Sequence, residues 1–97
     1  MYLKENGYID DEKLLERYKE IAIQKGEGPL KLKSKLYPKG ITSVKFSYQE
    51  EYEAAVNRIK KYSGNKDFKS IVKYLLNRGF GYSVSSEVAT KYINGEI

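Results

Sequence analysis

The strongest constraint on the fold is a short pattern that occurs three times in the sequence: leucine, three residues, glycine and an apolar residue. The three glycines are 33 and 39 residues apart, within the period range of helical repeat arrays. A glycine here supplies the left-handed residue that ends a helix, and the next apolar residue folds back onto that helix. Helical proteins in general end helices with glycine, but the matched leucine favours a true repeat. The copies are Leu3 to Gly7-Tyr8, Leu36 to Gly40-Ile41, and Leu75 to Gly79-Phe80.

Capping signals divide the chain into helices. Ser47 and Glu50 form the Ser-x-x-Glu pattern of a capping box, and Asp10 and Asp67 are suitable N-cap residues. Pro38 is expected to disturb the last turn of its helix. The predicted helices run from the Asp10 cap to a stop at 26–28, from Pro29 to Gly40, over one turn at 42–46, from Ser47 to a break at 63–65, from Asp67 to Gly79, and from Ser83 to Gly95.

Each predicted helix carries apolar residues at helical spacing, and strand-like alternation is absent from the sequence. These residues are predicted to face inward. They are Leu14, Leu15, Tyr18, Ile21 and Ala22 in the first helix, Leu32 and Leu36 in the second, Tyr48, Tyr52, Ala55, Val56 and Ile59 after the capping box, Phe68, Ile71, Val72, Leu75 and Leu76 after Asp67, and Val84, Val88, Ala89, Tyr92 and Ile93 in the last.

The fold class that follows is all-α, with tandem three-helix repeats forming an elongated, curved helical array. Residues 1–9 are interpreted as the tail of a first repeat, residues 10–46 as one three-helix repeat and residues 47–97 as another. The chain is then a short form of such a protein, a fragment, or a sequence counted from an internal methionine.

The composition argues against an enzyme, because the 97 residues include no cysteine and no histidine. Disulfides, zinc sites of the usual Cys/His type and catalytic triads with a histidine base are therefore excluded. The acidic run Asp10, Asp11 and Glu12 is better explained by helix capping and first-turn charge than by a metal site. Gly26 and Gly28 lack the spacing of a phosphate-binding loop. We predict no cofactor, no metal and no catalytic residue.

The charge pattern favours a polyanionic partner, either nucleic acid or an acidic protein groove. The net charge is +5 and is unevenly spread. Residues 28–49 contain five lysines and no acid, and residues 58–78 contain seven bases and one acid. The longest apolar runs are two or three residues, far below the roughly 20 that span a bilayer, which predicts a cytoplasmic protein with no membrane partner.

Lys31, Lys35 and Lys39 are spaced by four residues and are predicted to line one helical face as a partner-binding stripe. A solvated helix face is an equally good explanation. A second predicted set of binding residues comprises Arg58, Lys61, Lys69, Lys73 and Arg78. For the members at 58–73 an ordinary surface role is the favoured alternative, with the helix macrodipole explaining Lys61, and the alternative for Arg78 is hydrogen bonding to carbonyls in the last turn of its helix. Tyr37 and Tyr82 are candidates for stacking on nucleic-acid bases, while Tyr18, Tyr52 and Tyr92 are assigned to the core.

Four motifs follow one another in order and together cover nearly the whole chain. They are Gly7-Tyr8-Ile9-Asp10-Asp11-Glu12, then Gly28-Pro29 with Leu32, Leu36 and Lys39-Gly40-Ile41, then Glu51-x-Glu53-Ala54-Ala55, and finally Asp67 with Tyr74-Leu75-x-x-Arg78-Gly79-Phe80. They resemble the motifs of the RecX family of recombination regulators; each is weak alone, but their order is fairly specific. Departures are Asn77, where the family usually has a second arginine, and Leu14-Leu15, where it has an aromatic-alanine pair.

The resemblance implies a monomeric regulatory protein that lies along the helical groove of the RecA recombinase filament. There it would inhibit the filament's ATPase, strand-exchange and coprotease activities. Two functions stay open from the sequence: this filament regulator, and a general nucleic-acid-binding helical module that contacts single- or double-stranded DNA.

Overall fold

The computed structural model describes the backbone of residues 4–41 and 44–97, and within these ranges the side chains from residue 13 onward. These residues form five α-helices and one 3₁₀ turn, with no strand among them, so the predicted all-α class is confirmed. The helices are α1 (Lys4–Lys25), α2 (Pro29–Leu36), α3 (Tyr48–Ile59), α4 (Phe68–Asn77) and α5 (Tyr82–Ile93), and the 3₁₀ turn is Tyr37–Lys39. Pro38 lies inside that turn, so the predicted disturbance of the last turn is also confirmed.

Two predicted helix starts are confirmed in atomic detail. The Ser47 hydroxyl accepts a hydrogen bond from the Glu50 backbone N–H at 3.1 Å, and the Glu50 carboxylate accepts one from the Ser47 N–H at 2.8 Å. This reciprocal pair is a capping box, and it lowers the pKa of the Glu50 carboxyl, with a further contribution from Lys19. The Asp67 carboxylate likewise caps α4 by accepting from the Ser70 N–H at 3.2 Å.

Two other predicted helix starts are wrong. Helix α1 runs from Lys4 through Gly7 and Asp10 without a break, so Gly7 does not end a helix and Asp10 is not an N-cap. A glycine inside a helix costs only about 1 kcal/mol relative to alanine, so it does not by itself end one. Helix α5 begins at Tyr82 instead of Ser83. The Glu51 carboxylate accepts a hydrogen bond from the Gly81 N–H at 2.6 Å, and this tertiary contact fixes the earlier start.

The predicted helical turn at 42–46 is also not observed. Residues 44–47 have no regular secondary structure, and residues 42–43 lie outside the described ranges. Phe46 packs against both apolar clusters of the molecule, and Val44 packs against the smaller one. Phe46 therefore lies where the two clusters meet.

The larger apolar cluster is built by α3, α4 and α5, and the smaller one by α1 and α2. Helix α4 buries Ile71, Val72 and Leu75, as predicted. Other members of the predicted apolar faces are exposed instead. They are Leu14, Ile21, Tyr48, Phe68, Leu76 and Ile93.

Four glycines end helical segments in the left-handed conformation: Gly26, Gly40, Gly79 and Gly95. Two of them belong to the repeated pattern and make the same hydrogen bonds. The Ile41 N–H donates to Leu36 O at 3.2 Å, and the Phe80 N–H donates to Leu75 O at 3.2 Å. These are the long bonds of a Schellman motif, so two of the three predicted helix ends are confirmed. The arrangement of the helices as tandem three-helix repeats stays a prediction.

A close backbone contact joins the two clusters. The Gly28 N–H donates to Arg78 O at 2.9 Å, and the Leu30 N–H donates to Gly79 O at 3.1 Å. The start of α2 has no side-chain cap, so carbonyls from the end of α4 take that role. A Cβ atom on Gly28 would lie 2.3 Å from the Gly79 carbonyl carbon, a distance that only glycine avoids.

Candidate functional site

A groove lies between the carboxyl-terminal half of α1 and helix α2, with a cavity of about 330 Å³. Its floor is apolar and its rim carries three lysines and one glutamate. Ala22, Leu32 and Leu36 are almost completely buried beneath it, and Tyr18 and Ile21 remain partly exposed. The residues lining the groove are Tyr18, Ile21, Ala22, Lys25, Glu27, Leu32, Lys35, Leu36 and Lys39.

The chain direction at the end of α1 creates this groove. Gly26 is left-handed, the Gly26 N–H donates to Ile23 O at 3.1 Å, and the Glu27 N–H donates to Ala22 O at 2.8 Å. This Schellman motif ends α1, as the sequence predicts, and Pro29 then starts α2 after a short turn. The two helices are thereby connected closely enough for their apolar faces to meet.

The structure brings two of the three predicted stripe lysines to this groove. The Lys35 ammonium contacts both carboxylate oxygens of Glu27, at 3.0 and 3.1 Å. The Lys39 ammonium lies 5.9 Å from the centre of the Tyr18 ring, in cation–π range. Lys31 is exposed in the first turn of α2, where its backbone packs against Gly79.

Sequence reasoning missed Lys25 and Glu27 as residues of this groove. The spacing of Leu14, Tyr18, Ile21 and Lys25 along α1 is four, three and four residues, the spacing of a helix-packing face. From this spacing, Lys25 could have been predicted to lie on the same side of α1 as the three apolar residues. Glu27 follows the helix end, and its bond to Lys35 is visible only in the folded chain.

Arg58 and Lys61, two further predicted binding residues, hold the carboxyl end of α1. Arg58 donates from Nε to Gly26 O at 2.9 Å and from Nη2 to Lys25 O at 3.1 Å. Lys61 donates to Lys25 O at 3.3 Å, and the neighbouring Asn57 amide donates to Ile23 O at 2.8 Å. These donors satisfy carbonyls that a helix end leaves unpaired. The charges of Arg58 and Lys61 therefore interact with the carboxyl end of α1, and not with the carboxyl end of their own helix, α3.

We expect Arg58→Met to lower the free energy of unfolding by about 1–3 kcal/mol, because it removes both hydrogen bonds of the guanidinium and leaves the part-buried Gly26 carbonyl without its donor. Urea unfolding followed by circular dichroism measures this loss. Lys60→Met is the matched control, since Lys60 is exposed on the same stretch of chain and should change stability by less than about 0.5 kcal/mol. An equal effect of the two substitutions would show that the Arg58 hydrogen bonds do not stabilise the fold.

The remaining predicted binding residues lie on α4 or at its end. Lys69 and Lys73 are exposed, one helical turn apart. Arg78 is half-buried, with its guanidinium 5.4 Å from the centre of the Tyr74 ring. The eight predicted residues therefore lie in three places: at or near the groove, against the carboxyl end of α1, and on α4 or at its end. They do not form one continuous stripe.

A smaller polar cluster lies between α3 and α5, beside a cavity of about 200 Å³. The Tyr48 hydroxyl donates a hydrogen bond to Glu87, and Lys91 forms an ion pair with the same carboxylate at 3.3 Å. These two donors lower the pKa of Glu87, and the bond to Glu87 raises the pKa of the Tyr48 hydroxyl. Lys91 also lies 5.0 Å from the centre of the Tyr52 ring. The charges of this cluster balance one another, so it attracts no particular ionic ligand.

Within residues 13–41 and 44–97, whose side chains the structure describes, no group of three or more histidine, cysteine, aspartate or glutamate side chains is placed to hold a metal ion. In the same part of the chain, no helix combines the length and the apolar character needed to cross a membrane.

Comparison with known proteins places the chain among regulatory proteins. No family model matches it, and no solved structure matches it significantly. Two curated relatives, each named regulatory protein RecX, come from Lactococcus lactis subsp. cremoris strains SK11 and MG1363. Each is 35% identical over 101 aligned positions, which cover 87% of this chain and 38% of the relative. Over this matched stretch the chain belongs to the RecX family, as its ordered motifs predict.

Proposed function

We propose that this chain binds the RecA recombinase filament and inhibits its ATPase, strand-exchange and coprotease activities. The observation that carries the proposal is the 35% identity to two proteins named regulatory protein RecX. The order of the four motifs along the chain agrees with it. The chain spans 38% of the length of these relatives.

The lysine-edged groove is the surface that we propose for docking on the filament. An apolar floor beside ammonium groups suits a protein surface that presents apolar and acidic side chains together, because buried apolar area stabilises the complex and charge sets its orientation. Lys35 and Lys39 lie on the rim, and Lys31 is exposed one turn before Lys35.

We further propose that the chain is divided into tandem repeats, residues 10–46 and 47–97, after the tail of an earlier repeat at 1–9. Helix α1 crosses the first boundary, and the described part of the first repeat contains α1, α2 and the 3₁₀ turn. The matched leucines, Leu36 and Leu75, each accept the long Schellman bond at a helix-ending glycine and support this division. In this proposal the protein acts as a monomer in the cytoplasm, without a cofactor or a catalytic step of its own. The regulatory name of its relatives supports a role other than catalysis.

The second candidate is a general nucleic-acid-binding helical module. The exposed lysines Lys69 and Lys73 on α4 and the net charge of +5 favour it. Such a surface binds phosphates with a strong dependence on salt concentration. The two candidates predict different effects of the same substitutions.

Replacing Lys31, Lys35 and Lys39 with glutamine should raise the concentration needed for half-inhibition of the recombinase ATPase at least about tenfold, a loss of about 1.4 kcal/mol of binding. Weak binding to bare single-stranded DNA should persist. The double variant Lys69→Gln, Lys73→Gln is the matched control and should leave the inhibition unchanged.

The general nucleic-acid candidate predicts the opposite pattern. If the three lysines track phosphates, the slope of log affinity for single-stranded DNA against log salt changes by about two units in the triple variant. Unchanged filament inhibition in the triple variant would exclude this lysine face and leave Lys69, Lys73 and Arg78 as the surface to test next.

A further inference from the structure

A row of apolar side chains on α1 extends the groove beyond α2. Leu14 and Ile21 are each 41% exposed, although both are large and apolar. They are seven residues apart, which is close to two helical turns, and Tyr18 lies between them on the same face. Lys25 continues this face at the groove. Helix α1 therefore keeps a helix-packing face partly open along several turns.

The surroundings of this face are basic at its carboxyl-terminal end, whereas Asp10 and Asp11 precede Leu14 by four and three residues at the other end. Lys25, Lys35 and Lys39 lie along the groove, and Arg17 is four residues before Ile21, so it is a neighbour on the helix surface. The carboxylate of the groove, Glu27, bonds to Lys35 through both oxygens, and its side chain is only 16% exposed. An occupant that matches these ammonium groups must bring carboxylates of its own.

A second copy of this chain brings a carboxylate to only one of these positions. Packed antiparallel through this face, two α1 helices would place Asp10 of each copy opposite Lys25 of the other, because Asp10 precedes Leu14 by four residues as Lys25 follows Ile21 by four. Glu16 and Glu20 lie on other sides of α1, roughly 100–160° around the helix from Leu14 and Ile21, so Lys39 stays unmatched. The same packing would bring Arg17 of both copies together. Like charges at this separation oppose the contact.

We propose that this face and groove bind an acidic amphipathic helix of a partner protein. Its apolar side chains pack on Leu14, Tyr18 and Ile21, and its carboxylates face Lys25 and Lys39, in the helix-in-groove mode of recognition. That the helix belongs to the recombinase rests on the proposed function. The chemistry of the occupant does not, because it follows from the groove alone.

Two synthetic peptides test this with the intact chain. One is an acidic amphipathic helix of about 15 residues, held helical by a side-chain staple because free helices of this length are marginal. The other replaces every glutamate with lysine. By fluorescence anisotropy, the acidic peptide should bind at least about tenfold more tightly than its basic counterpart. Added salt should weaken its binding.

Variants of the chain locate the site. Ile21→Ser should weaken binding of the acidic peptide at least about tenfold. Leu76→Ser is the matched control, because Leu76 is 42% exposed on α4, and it should leave the affinity unchanged. Both substitutions are at partly exposed positions, and circular dichroism checks that both variants fold.

Four results would overturn the proposal: equal affinity for the two peptides, unchanged affinity in Ile21→Ser, wild-type dimers in sedimentation that Ile21→Ser dissociates, or displacement of the peptide by a dT oligonucleotide. The last two would assign the face to a second copy or to nucleic acid. Because the titration contains no recombinase, its outcome is independent of filament binding. A chain that binds the peptide but not the filament would remove only the proposed function.

Discussion

Gly28→Ala should lower the free energy of unfolding by about 2–5 kcal/mol, combining the strain of an added methyl group with the weakening of two backbone hydrogen bonds. The new Cβ would meet the Gly79 carbonyl carbon at 2.3 Å and its oxygen at 2.4 Å. Backbone atoms cannot rotate away, so α2 must separate from the end of α4. The bonds from Gly28 N–H to Arg78 O and from Leu30 N–H to Gly79 O then lengthen. Urea unfolding measures the loss.

Gly81→Ala is a closely matched control. Gly28 and Gly81 both precede helices in the same extended conformation, with φ of −82° and −77°. A Cβ on Gly81 would contact only a Glu51 carboxylate oxygen, at 3.4 Å. The intrinsic cost of alanine before a helix is common to both variants, so their difference isolates the close contact with Gly79. Equal losses in the two variants would show that this contact has no energetic role.

Leu75→Ala should lower the free energy of unfolding by about 2–5 kcal/mol, the usual range for a leucine truncated inside a core. Leu75 is fully buried in the larger cluster, where it meets side chains from α3 and α5. Its carbonyl also accepts the Phe80 N–H that closes the helix end. A cavity at this position therefore weakens the packing of all three helices.

The neighbouring residue provides the comparison for Leu75. Leu76 has the same side chain one residue later, but it is 42% exposed. Leu76→Ala should change stability by less than about 1 kcal/mol, because a large part of this side chain is already in contact with water in the folded state. A loss below about 0.5 kcal/mol for Leu75→Ala would contradict the burial of that side chain.

Features set by a few neighbouring residues could be predicted from the sequence. The capping box at Ser47 and Glu50, the Asp67 cap and the helix end at Gly79 each depend on residues within one or two turns. The helix start at Gly81 depends on Glu51, which is 30 residues away in the sequence. No local pattern contains that information, and the prediction at Ser83 failed for this reason.

The candidate site was predictable in part for the same reason. The four-residue spacing of Lys35 and Lys39 predicts one shared helical face, and both line the groove although Lys39 lies in the 3₁₀ turn that follows α2. The groove itself needs α1 packed against α2, a tertiary contact that spacing does not reveal. Arg58 shows the converse limit, because its guanidinium is occupied by the end of α1, 32 residues earlier. A base in a charge-rich segment is not necessarily free for a partner.

The central claim is that this chain recognises the recombinase filament, and one sedimentation measurement tests it most directly. The chain is added at increasing concentration to recombinase filaments assembled on single-stranded DNA and, separately, to the same DNA without recombinase. We predict that the chain sediments with the filaments at concentrations at least about tenfold below those at which it is retained by the bare DNA. Equal retention by filaments and by bare DNA would contradict the claim, because the DNA alone would then account for all of the binding.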